Sequence, residues 1–150
     1  MMLHNFNITT LQYYNINDTV IWLNDAGWHD VNFDTNSITG NSFGNPESFQ
    51  STATSNDTLY THVFTIPGTY SYDCSVGGGS HASGRMTGTI IVTDCDGITN
   101  GTALIDTCGT CHKAYIYNFN THQVTFVDNA NNLIAGVDYN PSTETVVLPN

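Results

Sequence analysis

The stretch TYSYDCSVGGGSHASGRMTGTIIV, residues 69–92, decides the fold because it places two β segments on either side of a glycine-rich loop. Aromatic and β-branched residues recur through TYSYDC (69–74) and TGTIIV (87–92), a pattern typical of strands. The loop between them brings together Cys74, His81 and Met86. A thiolate, an imidazole and a thioether are soft or borderline metal ligands. The stretch therefore predicts two strands that hold a metal-binding loop.

Further β segments lie on both sides of this stretch. Pro67-Gly68 predicts a two-residue turn that joins the segment 59–66 to the segment 69–74 as a hairpin. The region from 34 to 57 is rich in Ser, Thr, Asn and Gly, so we expect a long loop there. No stretch repeats apolar residues at helical spacing over three turns, so the chain is predicted to be all-β. The remaining predicted strands are around Phe6 to Thr9, then 19–23, 30–33, 114–119, 123–127 and 144–148.

The residue composition of the chain changes after residue 93. A length of 150 residues suits one domain with a real core and a short appendage, rather than two full-sized domains. From residue 94 a turn-rich cysteine segment replaces the strand pattern. We therefore predict a domain over 1–93 and a Cys-rich extension with short β segments over 94–150.

The strongly negative net charge narrows the classes of molecule that the protein is expected to bind. Arg85 and Lys113 are the only two basic residues against 13 acidic ones, and the formal net charge is −11. This balance argues against nucleic acid and anionic membranes, and favours partners that are not acidic. No run of about 18 apolar residues occurs, so membrane insertion is not expected. The N-terminus lacks the features of a secretory signal, so either a signal has been removed or the chain is a fragment of a larger secreted protein.

A fourth ligand completes a recognisable set. His29 follows a Gly-Trp bend and opens the segment 30–33, and Met86 is the only methionine besides Met1 and Met2. A thiolate, two imidazoles and a weak axial thioether form the type 1 copper site, which holds Cu(I) and Cu(II) with little rearrangement. Cys74, His29, His81 and Met86 therefore predict one type 1 copper ion.

At this point the chain resembles the cupredoxin family of plastocyanin- and azurin-like blue copper proteins. The resemblance implies a Greek-key β-sandwich, with His29 and His81 binding through imidazole nitrogen, Cys74 as thiolate and Met86 axially. Two departures stand out: six residues separate Cys74 from His81, where these proteins have two or four, and Asp30 replaces their usual Asn. We expect the Asp30 carboxylate to accept a hydrogen bond from Ser75 and stiffen the site. The motifs that carry the resemblance are DTVIW (18–22), WHDV (28–31), PGTY (67–70), YDCS (72–75) and GTIIV (88–92), together with His81 and Met86.

The resemblance implies an extracytoplasmic one-electron carrier that acts with redox partner proteins. An enzyme is not expected, because copper reductases and oxidases of this superfamily need additional sites built from His-x-His pairs, and the sequence has none. Two alternatives stay open. The domain could be a surface or adhesive module that transfers no electrons, or it could sequester copper with the same ligands.

The cysteine segment supports two interpretations. Cys108-Gly-Thr-Cys111-His112 matches the C-x-x-C-H haem signature, and a haem beside copper would make an electron conduit. The segment DCDGITNGTALIDTCGTC (94–111) also resembles repeats of secreted marine Bacteroidetes proteins, which implies structural cysteines and an extracellular, cell-surface or periplasmic location. A disulfide from Cys95 to Cys108 or Cys111 is easier than one between Cys108 and Cys111, and leaves an odd thiol. The acidic and amide residues of the segment are interpreted as solvated turn residues rather than a calcium site: Asp94, Asp96, Asn100 and Asp106.

Overall fold

The computed structural model describes residues 2–5 and 11–149, and the strand predicted around Phe6 to Thr9 lies outside these ranges. The chain divides into two compact units, Met1–Val92 and Thr93–Asn150. Within the described residues, no helix is long and apolar enough to cross a membrane.

Two three-stranded sheets make up the first unit. In one sheet β3 is central, with β1 parallel and β4 antiparallel to it. In the other sheet β6 is central, between β2 and the antiparallel β5. The elements are β1 (Met2–Asn5), β2 (Gln12–Asn15), β3 (Thr19–Leu23), β4 (Thr58–Val63), β5 (Gly68–Asp73), the single-turn helix α1 (Ser80–Ser83) and β6 (Thr87–Thr93).

Alternate side chains of both sheets point into one core. Trp22 of β3 meets Tyr72 of β5 edge to face, with ring centroids 6.0 Å apart, so the aromatic contact crosses from one sheet to the other. Phe33 stacks on Tyr72 at 4.9 Å. Because these rings and the Ile90 and Val92 side chains of β6 are fully buried, the two sheets form a sandwich. The all-β sandwich prediction is confirmed.

The predicted hairpin at Pro67-Gly68 is wrong, although both strands exist. β4 pairs with β3 and β5 pairs with β6, so the chain passes from one sheet to the other between these two strands. Residue shape favours the actual partner of β5. Tyr72 lies opposite Gly88 of β6, where a Cβ would come within 2.3 Å of the Tyr72 hydroxyl oxygen. Only a glycine leaves room for that ring.

The segment 30–33, predicted as a strand, forms isolated bridges instead of a ladder. Its Val31 and Phe33 side chains are fully buried, but Asn32 makes single bridges to Gln50 and Asp73. The region 34–57, predicted as a long loop, contains only such isolated bridges. It returns to the core through Phe49, which stacks on Phe33 with centroids 4.5 Å apart.

The second unit contains a small hairpin and a three-stranded antiparallel sheet. The hairpin consists of β7 (Leu104–Ile105) and β8 (Cys111–His112). The sheet has β9 (Ala114–Asn118) in the centre, between β10 (Val124–Val127) and β11 (Glu144–Val147). A short 3₁₀ turn covers Ala130–Asn132. These three sheet strands confirm the β segments predicted at 114–119, 123–127 and 144–148.

Candidate metal centre

Three side chains of the first unit bring their ligand atoms together. His29 Nδ1 and His81 Nδ1 lie 3.6 Å and 3.4 Å from Cys74 Sγ, and 3.0 Å from each other. A point equidistant from these three atoms lies about 1.9 Å from each, close to the roughly 2.0–2.3 Å of zinc–nitrogen and zinc–sulfur bonds. The cluster therefore has the size that a first-row transition-metal ion requires.

Cys74 follows directly on the last residue of β5 and is fully buried. Its backbone N–H donates to the Met86 carbonyl at 3.0 Å, which extends the pairing of β5 and β6 to the ligand loop. Burial raises the pKa of the Cys74 thiol, against the lowering effect of backbone hydrogen bonds from Asp30 and Val76. A bound cation would therefore have to displace the thiol proton, so metal binding is expected to release a proton.

His29 is oriented by the bend that precedes it. Its Nε2 lies 2.9 Å from the Ala26 carbonyl oxygen, and a carbonyl can only accept, so Nε2 carries the proton and Nδ1 faces the cluster unprotonated. The bend depends on Gly27, whose φ of +97° is left-handed and whose Cβ would lie 2.8 Å from Nε2. Two backbone hydrogen bonds with Thr54, at 2.8 and 2.9 Å, hold His29 from outside the bend.

The glycine-rich loop returns His81 to Cys74. Gly77, Gly78 and Gly79 have φ values of +72°, +62° and +87°, a left-handed run that other residues rarely adopt. The helix α1 begins immediately afterwards and carries His81 on its single turn. The six-residue gap between Cys74 and His81 is thus closed by a reversal of the backbone, and Nδ1 reaches the sulfur.

The backbone of Met86 is hydrogen-bonded to both Cys74 and His81. Its N–H donates to the His81 carbonyl at 3.0 Å, and its carbonyl accepts from Cys74. The side chain is half-buried and packs against the core cluster. Met86 is therefore adjacent to the Cys74 and His81 side of the candidate metal centre.

A hydrogen-bonded group lies behind the ligands. Asp30 is 2% exposed, and its carboxylate accepts from the Ser75 N–H at 2.7 Å and from the Ser75 hydroxyl. The Gln50 amide donates to Asp30 Oδ2 at 2.7 Å and to Ser75 Oγ at 2.8 Å. Burial raises the pKa of Asp30, but the hydrogen bonds from Ser75 and Gln50 prevail and the net direction is down. Sequence analysis identified Asp30 and Ser75 but missed Gln50, since nothing local marks a glutamine inside a long loop.

Two of the three cysteines of the second unit form a disulfide. Cys95 and Cys111 form a disulfide with Cα atoms 5.8 Å apart, which is one of the two pairings left open by the sequence. Cys108 is free and exposed, and His112 Nε2 lies 2.9 Å from Asp106 Oδ2. The haem interpretation through Cys108, Cys111 and His112 needs both thiols of the motif. It is contradicted here because the Cys111 sulfur is bonded to Cys95.

The Asp94 side chain is buried and holds its turn by hydrogen bonds, so the prediction of a solvated residue at this position is wrong. The side chain is 1% exposed and accepts from the backbone N–H groups of Asp96, Ile98 and Ala103 at 2.9–3.0 Å. Gly101 leaves room for this carboxylate, since a Cβ there would lie 2.0 Å from Asp94 Oδ2. The Asp-Cys-x-Gly pattern thus encodes a local turn network.

No protein-family model matches the chain, and no curated protein matches it. Among solved structures, the chain is similar to the Cu(I) form of a methionine-to-alanine mutant of amicyanin, at 22% identity over 61% of this chain and 80% of that one, with a TM-score of 0.43. A reduced Cu(I) proline-to-glycine mutant of amicyanin at pH 4 matches at 26% identity over 56% and 70%, with a TM-score of 0.40. An oxidised proline-to-alanine mutant matches at 23% over 61% and 80%, with a TM-score of 0.44. Because these scores are below 0.5, the chemical interpretation rests on the residues of the site.

Proposed function

We propose that the region 1–93 is a type 1 copper domain that works as an extracytoplasmic one-electron carrier. His29, Cys74 and His81 would hold the ion, with Met86 as a fourth ligand. The observation that carries the proposal is the convergence of two imidazole nitrogens and one sulfur within 3.0–3.6 Å. One thiolate and two neutral imidazoles suit both Cu(I) and Cu(II).

Contacts within the protein itself orient each of these side chains. β5 fixes Cys74, the Ala26 carbonyl orients His29, and α1 presents His81. When bound, copper supplies a one-electron couple between Cu(I) and Cu(II). Because these contacts restrain the side chains, the ligands should move little between the two states, which would keep the reorganisation cost of electron transfer low.

Exposure favours electron exchange through the imidazoles. Cys74 is fully buried, whereas His29 and His81 are half-buried and reach the surface. We propose that redox partners approach this imidazole edge. The net charge of −11 favours partners with neutral or basic surfaces, so association should weaken as salt is added.

A carrier is favoured over an enzyme because the proposed ligand set leaves no open position. Catalytic metal sites keep one coordination position for substrate or water. Here His29, Cys74, His81 and Met86 would supply four protein ligands. The proposed location outside the cytoplasm is supported by the Cys95–Cys111 disulfide, since such bonds persist in oxidising compartments.

Copper titration tests the proposal. Adding Cu(II) to the metal-free protein should produce an intense thiolate-to-copper charge-transfer band, and voltammetry should show a reversible one-electron wave. Cys74→Ser should abolish the band, whereas the matched control Cys108→Ser should keep it because Cys108 belongs to the other unit. Tight binding without a reversible wave would indicate sequestration. A colourless protein that binds no copper would sink the proposal and favour the adhesive module.

A further inference from the structure

Gln50, Asp30 and Ser75 form a closed ring of hydrogen bonds. Gln50 Nε2 donates to Asp30 Oδ2 at 2.7 Å and to Ser75 Oγ at 2.8 Å. The Ser75 hydroxyl donates to the same Asp30 oxygen, and the Ser75 backbone N–H donates to the other one. Each member of the ring is therefore tied to both others.

Two members of the ring are covalent neighbours of ligands. Asp30 directly follows His29, and Ser75 directly follows Cys74, although the two ligands are 45 positions apart along the chain. A contact between Asp30 and Ser75 therefore fixes the distance between the backbone segments that carry His29 and Cys74. Gln50 is the one member that does not adjoin a ligand.

The backbone around Gln50 is well anchored, so its side chain approaches the ring from a fixed base. Gln50 forms an antiparallel bridge with Asn32. The Phe33 N–H donates to the Phe49 carbonyl at 2.8 Å, and the Ser51 N–H donates to the Val31 carbonyl at 2.9 Å. The region 34–57 thus returns along the segment that begins with His29.

We propose that Gln50 is a positioning residue of the metal centre: its amide clamps the Asp30 carboxylate to Ser75 and thereby holds His29 and Cys74 at binding distance. This inference rests on the proposed copper function. It assigns a metal-directed role to the long loop 34–57.

The clamp also controls charge beside the sulfur. The Asp30 carboxylate is buried close to Cys74, and a negative charge there favours the more positive, oxidised ion. The Gln50 N–H groups partly neutralise that charge. Removing them should favour Cu(II) and lower the reduction potential.

Three variants separate positioning from general loosening. Gln50→Ala removes both hydrogen bonds of the amide, and Gln50→Glu keeps the size of the side chain but places a second carboxylate against Asp30. Asn45→Ala is the matched control, because Asn45 lies in the same loop as Gln50 but away from the ring. Its amide donates at 2.7 Å to the Phe33 and Ser71 carbonyls. All three should destabilise the metal-free protein.

Only the Gln50 variants should alter the metal centre. We expect about tenfold weaker copper binding in chelator competition, within the range known for outer hydrogen-bond partners of metal ligands. The charge-transfer band should shift and the reduction potential should fall, more for Gln50→Glu than for Gln50→Ala. In an Asp30→Asn background, the effect of Gln50→Ala on the potential should largely vanish. Equal shifts for Gln50→Ala and Asn45→Ala, or none for Gln50→Ala, would overturn the inference.

Amide hydrogen exchange of the metal-free protein tests the clamp without copper. The Ser75 N–H should exchange faster in Gln50→Ala than in Asn45→Ala, because its acceptor Asp30 is no longer held. If the wild type gives no copper band, the proposed function fails, and this exchange rate still decides whether the clamp exists. Unchanged Ser75 exchange in Gln50→Ala would refute the clamp even in a protein that binds copper.

Discussion

Replacing Gly79 by alanine should damage the metal loop far more than replacing its neighbour Gly78. Both residues have left-handed φ values, +87° and +62°, which cost an alanine about 1–2 kcal/mol. A Cβ at Gly78 meets nothing within 4 Å, but a Cβ at Gly79 would lie 2.3 Å from the Ser37 carbonyl oxygen. Because that oxygen belongs to the backbone, relieving the overlap adds about 1–3 kcal/mol, and the total for Gly79→Ala is about 2–5 kcal/mol.

Urea unfolding of the metal-free variants measures this difference. Gly79→Ala should lose at least about 1 kcal/mol more than Gly78→Ala, the lower limit for overpacking. Copper affinity gives a second readout. Gly79 immediately precedes α1, so moving it should displace His81 and weaken binding, whereas Gly78→Ala should weaken copper binding much less. Equal unfolding free energies for the two variants would show that the approach of the loop to Ser37 does not constrain His81.

Three other outcomes follow from the contacts described above. Cys111→Ser should lower the unfolding free energy of the second unit by about 3 kcal/mol in urea titration, because its disulfide closes a separation of 16 residues; no change would contradict a stabilising role. Burial raises the pKa of Glu47, but hydrogen bonds from Thr65 and His62 lower it below 4.5, so its stabilisation is complete above that pH and is lost on acidification. The difference in thermal midpoint between wild type and Glu47→Gln should therefore shrink from neutral to acidic pH, and a constant difference would refute the assignment. Met86→Leu should keep the charge-transfer band and raise the reduction potential in voltammetry, since the oxidised ion loses an axial donor; an unchanged potential would exclude Met86 as that donor.

The strands with strong local patterns could be predicted, but their partners could not. The segments at 19–23 and 87–92 match β3 and β6, because the alternation typical of a strand can be recognised from consecutive residues alone. The hairpin at Pro67-Gly68 failed because a turn signal does not say whether the chain folds back or crosses to the other sheet. The pairing of Tyr72 with Gly88 decides that question, and it depends on shapes 16 residues apart.

The candidate site shows the same division. The proposed ligands stand out by chemical type, so His29, Cys74, His81 and Met86 could be named as candidates from the sequence. How the loop closes depends on three consecutive left-handed glycines, whose conformation is visible only in the structure. Gln50 could not be found, because its role depends on the return of a long irregular segment to a residue 20 positions earlier.

The ligands also differ in how far apart they lie along the chain, which bears on the order of assembly. Cys74 and His81 are seven residues apart on one loop, and the cost of closing so short a loop is small. His29 joins from 45 and 52 residues away, across the long region 34–57. Two of the three members of the cluster, Cys74 and His81, can therefore meet as soon as β5 and β6 pair, whereas His29 joins only when the sandwich closes. Tight metal capture should appear late in refolding, as a signal that both sheets have met.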